Sequence, residues 1–279
     1  MSATGLKRVV VLAEPESLFL PNSIAQLARL HPLTAIVEVP PPPLRVSVKR
    51  GWNAFGPVVM SLVVAAEAVA RIVDRLSRNR YYSLRKVADR LGIPYERVSG
   101  LHAPDCVAAI TRHRPDVVFA QVSRRVRPEL LALAPFWNKH CSLLPGHAGV
   151  FPVFWTLLDE QAELGVTIHV MDEEFDRGPI LQQARIPRDG QSFFGAYRAL
   201  YDQVAPLLDR ALRDDAQTTW EPSPAIEPSY HSFPTPADRA EFRRKGRRFG
   251  FPFRLQPPVE IAGPSAVHNL WRTSASRAR

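Results

Sequence analysis

"DVVFAQV" (Asp116–Val122) reads as a β-strand, and its surroundings decide what kind of sheet it enters. Immediately before it, "APDCVAAITRHR" (Ala103–Arg114) has helical spacing. Before that come a strand-like "PYERVSG" (Pro94–Gly100) and a helical "SLRKVADRLG" (Ser83–Gly92). Further back, "LTAIVEV" (Leu33–Val39) is a strand closed by the prolines Pro40 to Pro43, and "PNSIAQLARLH" (Pro21–His31) spaces Ile24, Leu27, Ala28 and His31 as a helix does. The first strand is "KRVVVLA" (Lys7–Ala13), a β-branched run of the kind a buried parallel strand shows. Strands alternating with helices of about ten residues predict an α/β fold, a parallel sheet with helices on both faces. Open sheets of this kind hold ligands at the carboxyl ends of their strands.

The totals agree with such a domain. The chain has 279 residues, enough for one large domain or one domain with an appendage, and 46% of them are apolar, as in soluble proteins with a sizeable core. Two cysteines, Cys106 and Cys141, cannot build a disulfide framework, so a reducing compartment is expected. "MSATGLKRVVVLAEP" lacks the longer apolar run of a secretory signal and reads as a first strand, which makes the expected location cytoplasmic. The net charge is +9, and residues 238–279 carry ten Lys/Arg against Asp238, Glu241 and Glu260, a basic tail of +7. Charge of this kind speaks to anionic partners or to solvation, and not to fold.

Between Pro40 and Tyr82 the character changes. "GPVVMSLVVAAEAVARIVDRL" (Gly56–Leu76) is apolar almost without a break from Pro57 to Ala66, flanked by Lys49, Arg50, Arg71, Arg75, Arg78 and Arg80. Before Glu67 it is too short to span a bilayer, which needs about 20 apolar residues. The expectation is an inserted helix over about residues 56–78, packed on the domain or on a second subunit of a homodimer. A second reading lays it on an anionic membrane surface with its arginines outward.

After "DVVFAQV" comes "NKHCSLLPGHAGV" (Asn138–Val150), with an amide, two histidines and a cysteine around a Pro-Gly turn. Further on stands "GVTIHVMDEEFDRGPILQQARI" (Gly165–Ile186), a strand containing His169, then an acidic loop, then extended chain again. Taken singly, these residues have plain readings. Asn138 could cap a turn, His140 could be a hydrogen-bonded structural histidine, and the acidic loop could be a solvated turn. A zinc site of His140, Cys141, His147 and Asp176 has suitable ligand types but neither Cys-x-x-Cys nor His-x-x-x-His spacing, so no metal is expected.

Taken together, Asn138, His140, "SLLPG", "GVTIH" and the "DRG" beginning at Asp176 resemble the folate-dependent formyltransferase family. That family includes methionyl-tRNA, glycinamide ribonucleotide and nucleotide-sugar N-formyltransferases. The resemblance is close over roughly residues 116–212 and looser before. It implies a Rossmann-like formyltransferase domain over residues 1–212 and leaves 213–279 as a short basic, Pro/Arg-rich extension. It also implies transfer of a formyl group from 10-formyltetrahydrofolate to a primary amine. The bottom-up chemistry agrees. Such transfer passes through a tetrahedral oxyanion, which the two donors of the Asn138 amide can stabilise, one such donor being worth about 3 kcal/mol. His140 can take and return protons near neutrality. Asp176 matches the family's aspartate, which sets the histidine's proton balance, and acyl transfer of this kind needs no metal.

The resemblance also places the folate pterin between roughly Ser123–Arg127 and Met171–Asp176, where main-chain groups read its edge. Val126 and Leu144 would be apolar walls, with Met171, Asp172 and Glu174 in the acidic loop. Arg124, Arg125 and Arg127 would meet the glutamate tail. Ser142, Thr167 and His169 would support the site.

The amine is less legible. Glycinamide ribonucleotide formyltransferases cradle a phosphate with a Gly-rich loop after the first strand. This chain has "AEPESLFLPNS" there, without glycine, which argues against that substrate. About sixty-five residues after Leu212 do not suggest the β-barrel of the tRNA enzyme, and nucleic acid is not an expected partner. "PSYHSFPTPADRAEFRRKGRRF" predicts one basic helix. A nucleotide-sugar amine or another small metabolite is the expected acceptor. Methionyl-tRNA formyltransferase-like activity, hydrolysis of the folate, and a non-catalytic folate- or membrane-binding role are the alternatives.

Overall fold

A computed structural model describes residues 6–78, 80–159, 163–214 and 226–253. In chain order its elements are β1 (Val9–Ala13), α1 (Leu20–Leu30), β2 (Leu33–Glu38), α2 (Leu44–Leu76), α3 (Leu84–Leu91), β3 (Tyr95–Arg97), α4 (Pro104–His113), β4 (Val117–Gln121) and α5 (Pro128–Leu131). There follow β5 (Phe136–His140), β6 (Ala148–Gly149), α6 (Pro152–Leu158), β7 (Glu163–Val170), β8 (Ile180–Pro187), α7 (Phe193–Arg213), β9 (Tyr230–His231) and α8 (Pro236–Arg244).

Seven strands form the main sheet in the order β3-β2-β1-β4-β5-β7-β8. The first five of these are parallel, and β7 and β8 join antiparallel. The β-branched runs have the pattern expected of strands covered on both sides. Val9 and Val11 pack with Leu20, Ile24 and Leu207 from α1 and α7, while Val10 and Leu12 pack with Cys106 and Ile110 from α4. Successive side chains of a strand face opposite ways, so helices on both faces make every position apolar. The mostly parallel sheet read from the sequence is the one observed. β1 lies between β2 and β4, so the chain reverses its direction of winding there. That opens a crevice at the carboxyl ends of β1 and β4.

The inserted helix differs from its expected bounds. It begins at Leu44, because the prolines end at Pro43, and it breaks at Gly56, which holds φ 76° and ψ 172° ahead of Pro57. Proline suits the first turn of a resumed helix, where its missing N–H costs nothing. It ends at Leu76, close to the expected bound. Its almost unbroken apolar run stops at Glu67, but by length and composition the whole helix is long and apolar enough to cross a membrane. Ala54, Phe55, Ala66 and Ala70 are buried along its inner side.

The basic helix of the extension is α8. Thr235 and Asp238 form a reciprocal cap at its start, with Thr235 Oγ1 accepting from Asp238 N–H at 3.2 Å and Asp238 Oδ2 accepting from Thr235 N–H at 2.8 Å. Phe242 stacks on Phe154 at 4.6 Å and belongs with Phe249 to the main core. The described part of the extension therefore packs into the α/β core, and residues 254–279 lie outside the described residues.

Candidate active site

The pocket forms where β4 and β5 end. Asn138 and His140 alternate along β5, and Asn138 stands opposite His169 of the antiparallel β7. The acidic loop after β7 brings Asp176 back over both. The three residues expected to do chemistry are thus gathered at one cavity of about 360 Å³.

Neighbours orient each group. Gln121, the polar last residue of β4, donates from Nε2 to Asn138 Oδ1 at 2.9 Å and to Ala120 O at 2.7 Å. This sets which end of the Asn138 amide is the oxygen, and leaves Nδ2 as its donor end in the cavity wall. His140 Nε2 is 2.8 Å from His147 O. A carbonyl can only accept, so the proton is on Nε2 and Nδ1 carries the lone pair. Nδ1 lies 3.5 Å from Asp176 Oδ2. His169 donates from Nδ1 to Val170 O at 2.9 Å, and its Nε2 faces Asp176 Oδ1 at 3.5 Å, where it serves as a donor only in the imidazolium form.

Asp176 also accepts the N–H of Gly149 at 2.8 Å. Gly149 has φ 96°, and a Cβ there would come 2.2 Å from His231 O, so only glycine brings this amide to the carboxylate. Burial alone would raise the Asp176 carboxyl, but His140, His169 and the Gly149 amide together hold it well below the usual range, at about 2. Burial pushes His140 the other way from its partner: it lowers the imidazole's pKa, and the attraction of Asp176 offsets only part of this. The site therefore pairs an ionised carboxylate with a neutral imidazole whose lone pair is available.

Beneath the site, Thr167 Oγ1 donates to Ser142 O at 2.7 Å and accepts from Leu144 N at 3.2 Å. Ser142 Oγ donates to Gly146 O at 2.7 Å, and Gln183 donates to Leu144 O at 2.9 Å. The "SLLPG" turn, which contains a cis Leu144–Pro145 peptide, is thus laced to β7 and β8.

Of the residues expected to hold the folate, Arg124, Val126, Met171, Asp172 and Glu174 line this cavity. Leu144 does not. Its side chain joins Ala148 and Ile180 in a small apolar cluster and lines a neighbouring cavity of about 510 Å³, with Asp176 bordering both. Arg124 is already engaged, its guanidinium meeting Glu14 Oε1 at 2.8 Å and Pro40 O at 2.6 Å. Arg125 and Arg50 are the other cations of the lining, Arg50 lying 4.3 Å over the Phe233 ring. Sequence reasoning did not anticipate Arg50, nor Tyr230, Ser232 and Phe233 of the extension. It also passed over Gln121, although a polar residue closing an apolar strand was a readable signal.

His147, left without a role in the sequence, has Nδ1 3.2 Å from His231 Nε2 and 3.7 Å from Asp159 Oδ2. These are ligand types that suit a metal, and their candidate atoms lie within 4.8 Å of one another. The contact between imidazoles is of hydrogen-bond length, which accounts for the pair without an ion.

The N-terminus of α1, on the other side of the crevice, is also occupied. Glu16 accepts from Leu18 N and Leu20 N, both at 2.6 Å, and from Phe19 N at 2.9 Å. A carboxylate of the chain itself thus takes the amides that would otherwise invite an anion.

Comparison with known proteins shows the family and the fold. A family model described as "Formyl transferase" matches residues 7–192. Methionyl-tRNA formyltransferase of Roseiflexus castenholzii is 33% identical over 193 residues, covering 67% of this chain and 58% of that protein. The chain therefore spans less than two thirds of that relative's length. Among solved structures, phosphoribosylglycinamide formyltransferase of Streptococcus pneumoniae superposes with TM-score 0.53 at 16% identity, over 74% of this chain and 97% of the other. Glycinamide ribonucleotide transformylase 1 of Symbiobacterium toebii gives 0.53 at 18% identity, over 75% and 86%. At these identities the structural likeness speaks to the fold alone.

Proposed function

The chain belongs to the formyl transferase family, and from that premise we propose that it moves a formyl group from 10-formyltetrahydrofolate to the primary amine of a small molecule, a nucleotide sugar or a comparable metabolite, in the cytoplasm. The observation that carries this reading is a single one. Asn138 and His140 face one cavity with amide orientation and tautomer already set, beside an ionised Asp176.

The cavity fits such a donor in size and character. Small-molecule sites run from about 300 to 1,000 Å³. Val126 and Met171 offer apolar surface to a flat ring, and Asp172 and Glu174 offer acceptors to ring amino groups. Arg125 and Arg50 supply positive charge for carboxylates or a diphosphate.

The residues then divide the work. As the amine nitrogen bonds to the formyl carbon, negative charge grows on the formyl oxygen, and Asn138 Nδ2 donates to it. His140 Nδ1 takes the proton that the amine loses, and Asp176 stabilises the imidazolium this creates. When the bond from carbon to the folate nitrogen breaks, His140 returns the proton to that nitrogen. Donor and base are held before substrate arrives, which is where such sites gain most of their advantage over water.

Glu16 supports the choice of acceptor. With its carboxylate on the first amides of α1, that helix end does not offer a phosphate site, which favours acceptors other than a ribosyl phosphate amine. Calorimetric titration with 5-formyltetrahydrofolate tests the donor half, and saturable binding is the expected result. Absence of binding up to millimolar concentration would remove the folate reading. Amine acceptors, nucleotide amino sugars first and methionyl-tRNA beside them, can then be screened for formyl gain by mass spectrometry.

A further inference from the structure

We propose that the outer face of α2 docks on the surface of an anionic phospholipid bilayer, with the helix lying in the plane of the membrane. After the break at Gly56 the helix runs straight from Pro57 to Leu76, roughly 30 Å at 1.5 Å per residue. Val58, Leu62, Val69, Ile72 and Leu76 recur at helical spacing along one side and are 69%, 38%, 42%, 57% and 77% exposed. The small residues Ser61, Ala65 and Ala68, also exposed, fill the gaps between them. Soluble chains rarely leave so long an apolar stripe to water, and such stripes mark contact surfaces.

The charges decide what it contacts. Arg71 and Arg75 are exposed along the flank of this stripe, and Arg78 follows just past the helix end. The acidic residues of this stretch are turned inward. The Asp74 carboxylate accepts from Tyr82 N at 2.6 Å and from Ser83 Oγ at 2.7 Å, and Glu67 faces the Glu16 carboxylate closely enough to perturb it. The outward face is therefore apolar with positive charge only. A second copy packed on it would meet the arginines with no carboxylate from its own matching face. Lipid phosphates supply the missing charge, and arginine stems can lie along the apolar boundary with their heads at the phosphates.

The inward contacts also choose lying over spanning. Lys86 donates from Nζ to the carbonyls of Asp74 and Ser77, adding to the Asp74 contacts, and Ala66 and Ala70 are buried against the domain. Crossing the bilayer would break these ties and carry Glu67 and Asp74 into hydrocarbon.

Flotation of the full chain with vesicles tests this. Wild type is expected to float with phosphatidylcholine/phosphatidylglycerol vesicles, to bind severalfold less to pure phosphatidylcholine, and to be released as salt rises. The double variant V69D/I72D is expected to lose at least tenfold in binding while its melting temperature and folate binding are unchanged, since both residues are exposed. R71E/R75E is expected to lose binding to the anionic vesicles selectively. Three results would overturn the proposal: no flotation of wild type, undiminished flotation of V69D/I72D, or resistance of the cellular protein to alkaline extraction, which marks a spanning helix. Light scattering that shows a dimer broken by V69D/I72D, with no vesicle binding, would assign the face to a second copy instead.

Discussion

Asp176 and Glu16 are both carboxylates withdrawn from water and both accept main-chain N–H groups, yet they titrate in opposite directions. Asp176 accepts one amide, but two imidazoles flank it, and its pKa falls to about 2. Glu16 accepts from Leu18, Phe19 and Leu20, where the chain enters α1, but burial, with the nearby Glu67 adding to it, outweighs them, and its pKa rises. Counting hydrogen bonds would have ranked Glu16 as the more acidic. Burial pushes both carboxyls up. What separates them is that imidazoles beside Asp176 overcome it, whereas Glu16 has no cation among the described residues to do so and Glu67 adds to it. One carboxylate is thereby kept charged where chemistry is expected, and the other is a cap that closes a helix end.

The comparison breaks first at the active site. His140→Ala and Asp176→Ala should each lower kcat by about 10³-fold or more while the protein stays folded and binds folate, with Asp176→Ala also losing about 2 kcal/mol of stability at neutral pH. Asn138→Ala should cost about 10²- to 10³-fold. Near-normal turnover in all three variants would end the mechanistic claim. A smaller effect is expected at Gln121, which acts only through the Asn138 amide. Gln121→Leu should lower kcat about tenfold with KM little changed, about 1.4 kcal/mol. In the Asn138→Ala background the same change should add almost nothing, and a full additive loss would show that Gln121 does something else.

The pH dependence sharpens the contrast. His140 acts as a base only when neutral, so kcat/KM should fall with acid along a limb below pH 6.5, its ordinary value, because burial lowers it. For stability the sign is the same at both active-site groups. A pKa that is lower folded than unfolded contributes stability at neutral pH that is lost on acidification. For Asp176 this falls between pH 3.8 and about 2 and amounts to about 2 kcal/mol. Glu16 has the opposite sign: its contribution is present below pH 4.5 and is lost as pH rises through its folded pKa. Glu16→Gln should therefore change stability at neutral pH by no more than about 1 kcal/mol, and its gap from wild type should shift with pH above 4.5. Denaturant melts across pH 2 to 8 read both effects, and a pH-independent gap would refute the assignment of the raised pKa.

Much of the candidate site was legible because the residues that gather at the cavity sit in short motifs. Asn138 and His140 are two residues apart on one strand, and the acidic loop is marked by its crowd of carboxylates. Leu144 misled because its motif identifies the turn but not the side of Asp176 to which its side chain points. Tyr230, Ser232 and Phe233 reach the pocket through a ladder of only two residues between β6 and β9, too short to show any periodicity. The start of α2 was placed too late because Gly56-Pro57 reads as a helix start, whereas the helix already runs from Leu44 and only breaks there.

The sequence by itself determined the alternation of strands and helices, the mostly parallel sheet and the residue types that handle a formyl group. The first two follow from local periodicity, and the last from the resemblance of short motifs to the formyltransferase family. Only the tertiary structure decided which end of the Asn138 amide donates, which nitrogen of His140 holds the proton, and that Glu16 caps the start of α1. It also decided that Asp176 and Glu16 titrate oppositely. Each depends on how side chains from different elements meet, through Gln121, His147, Gly149, His169 or Glu67, and a linear pattern does not record which groups come within 3 to 4 Å of one another or how much water is left between them.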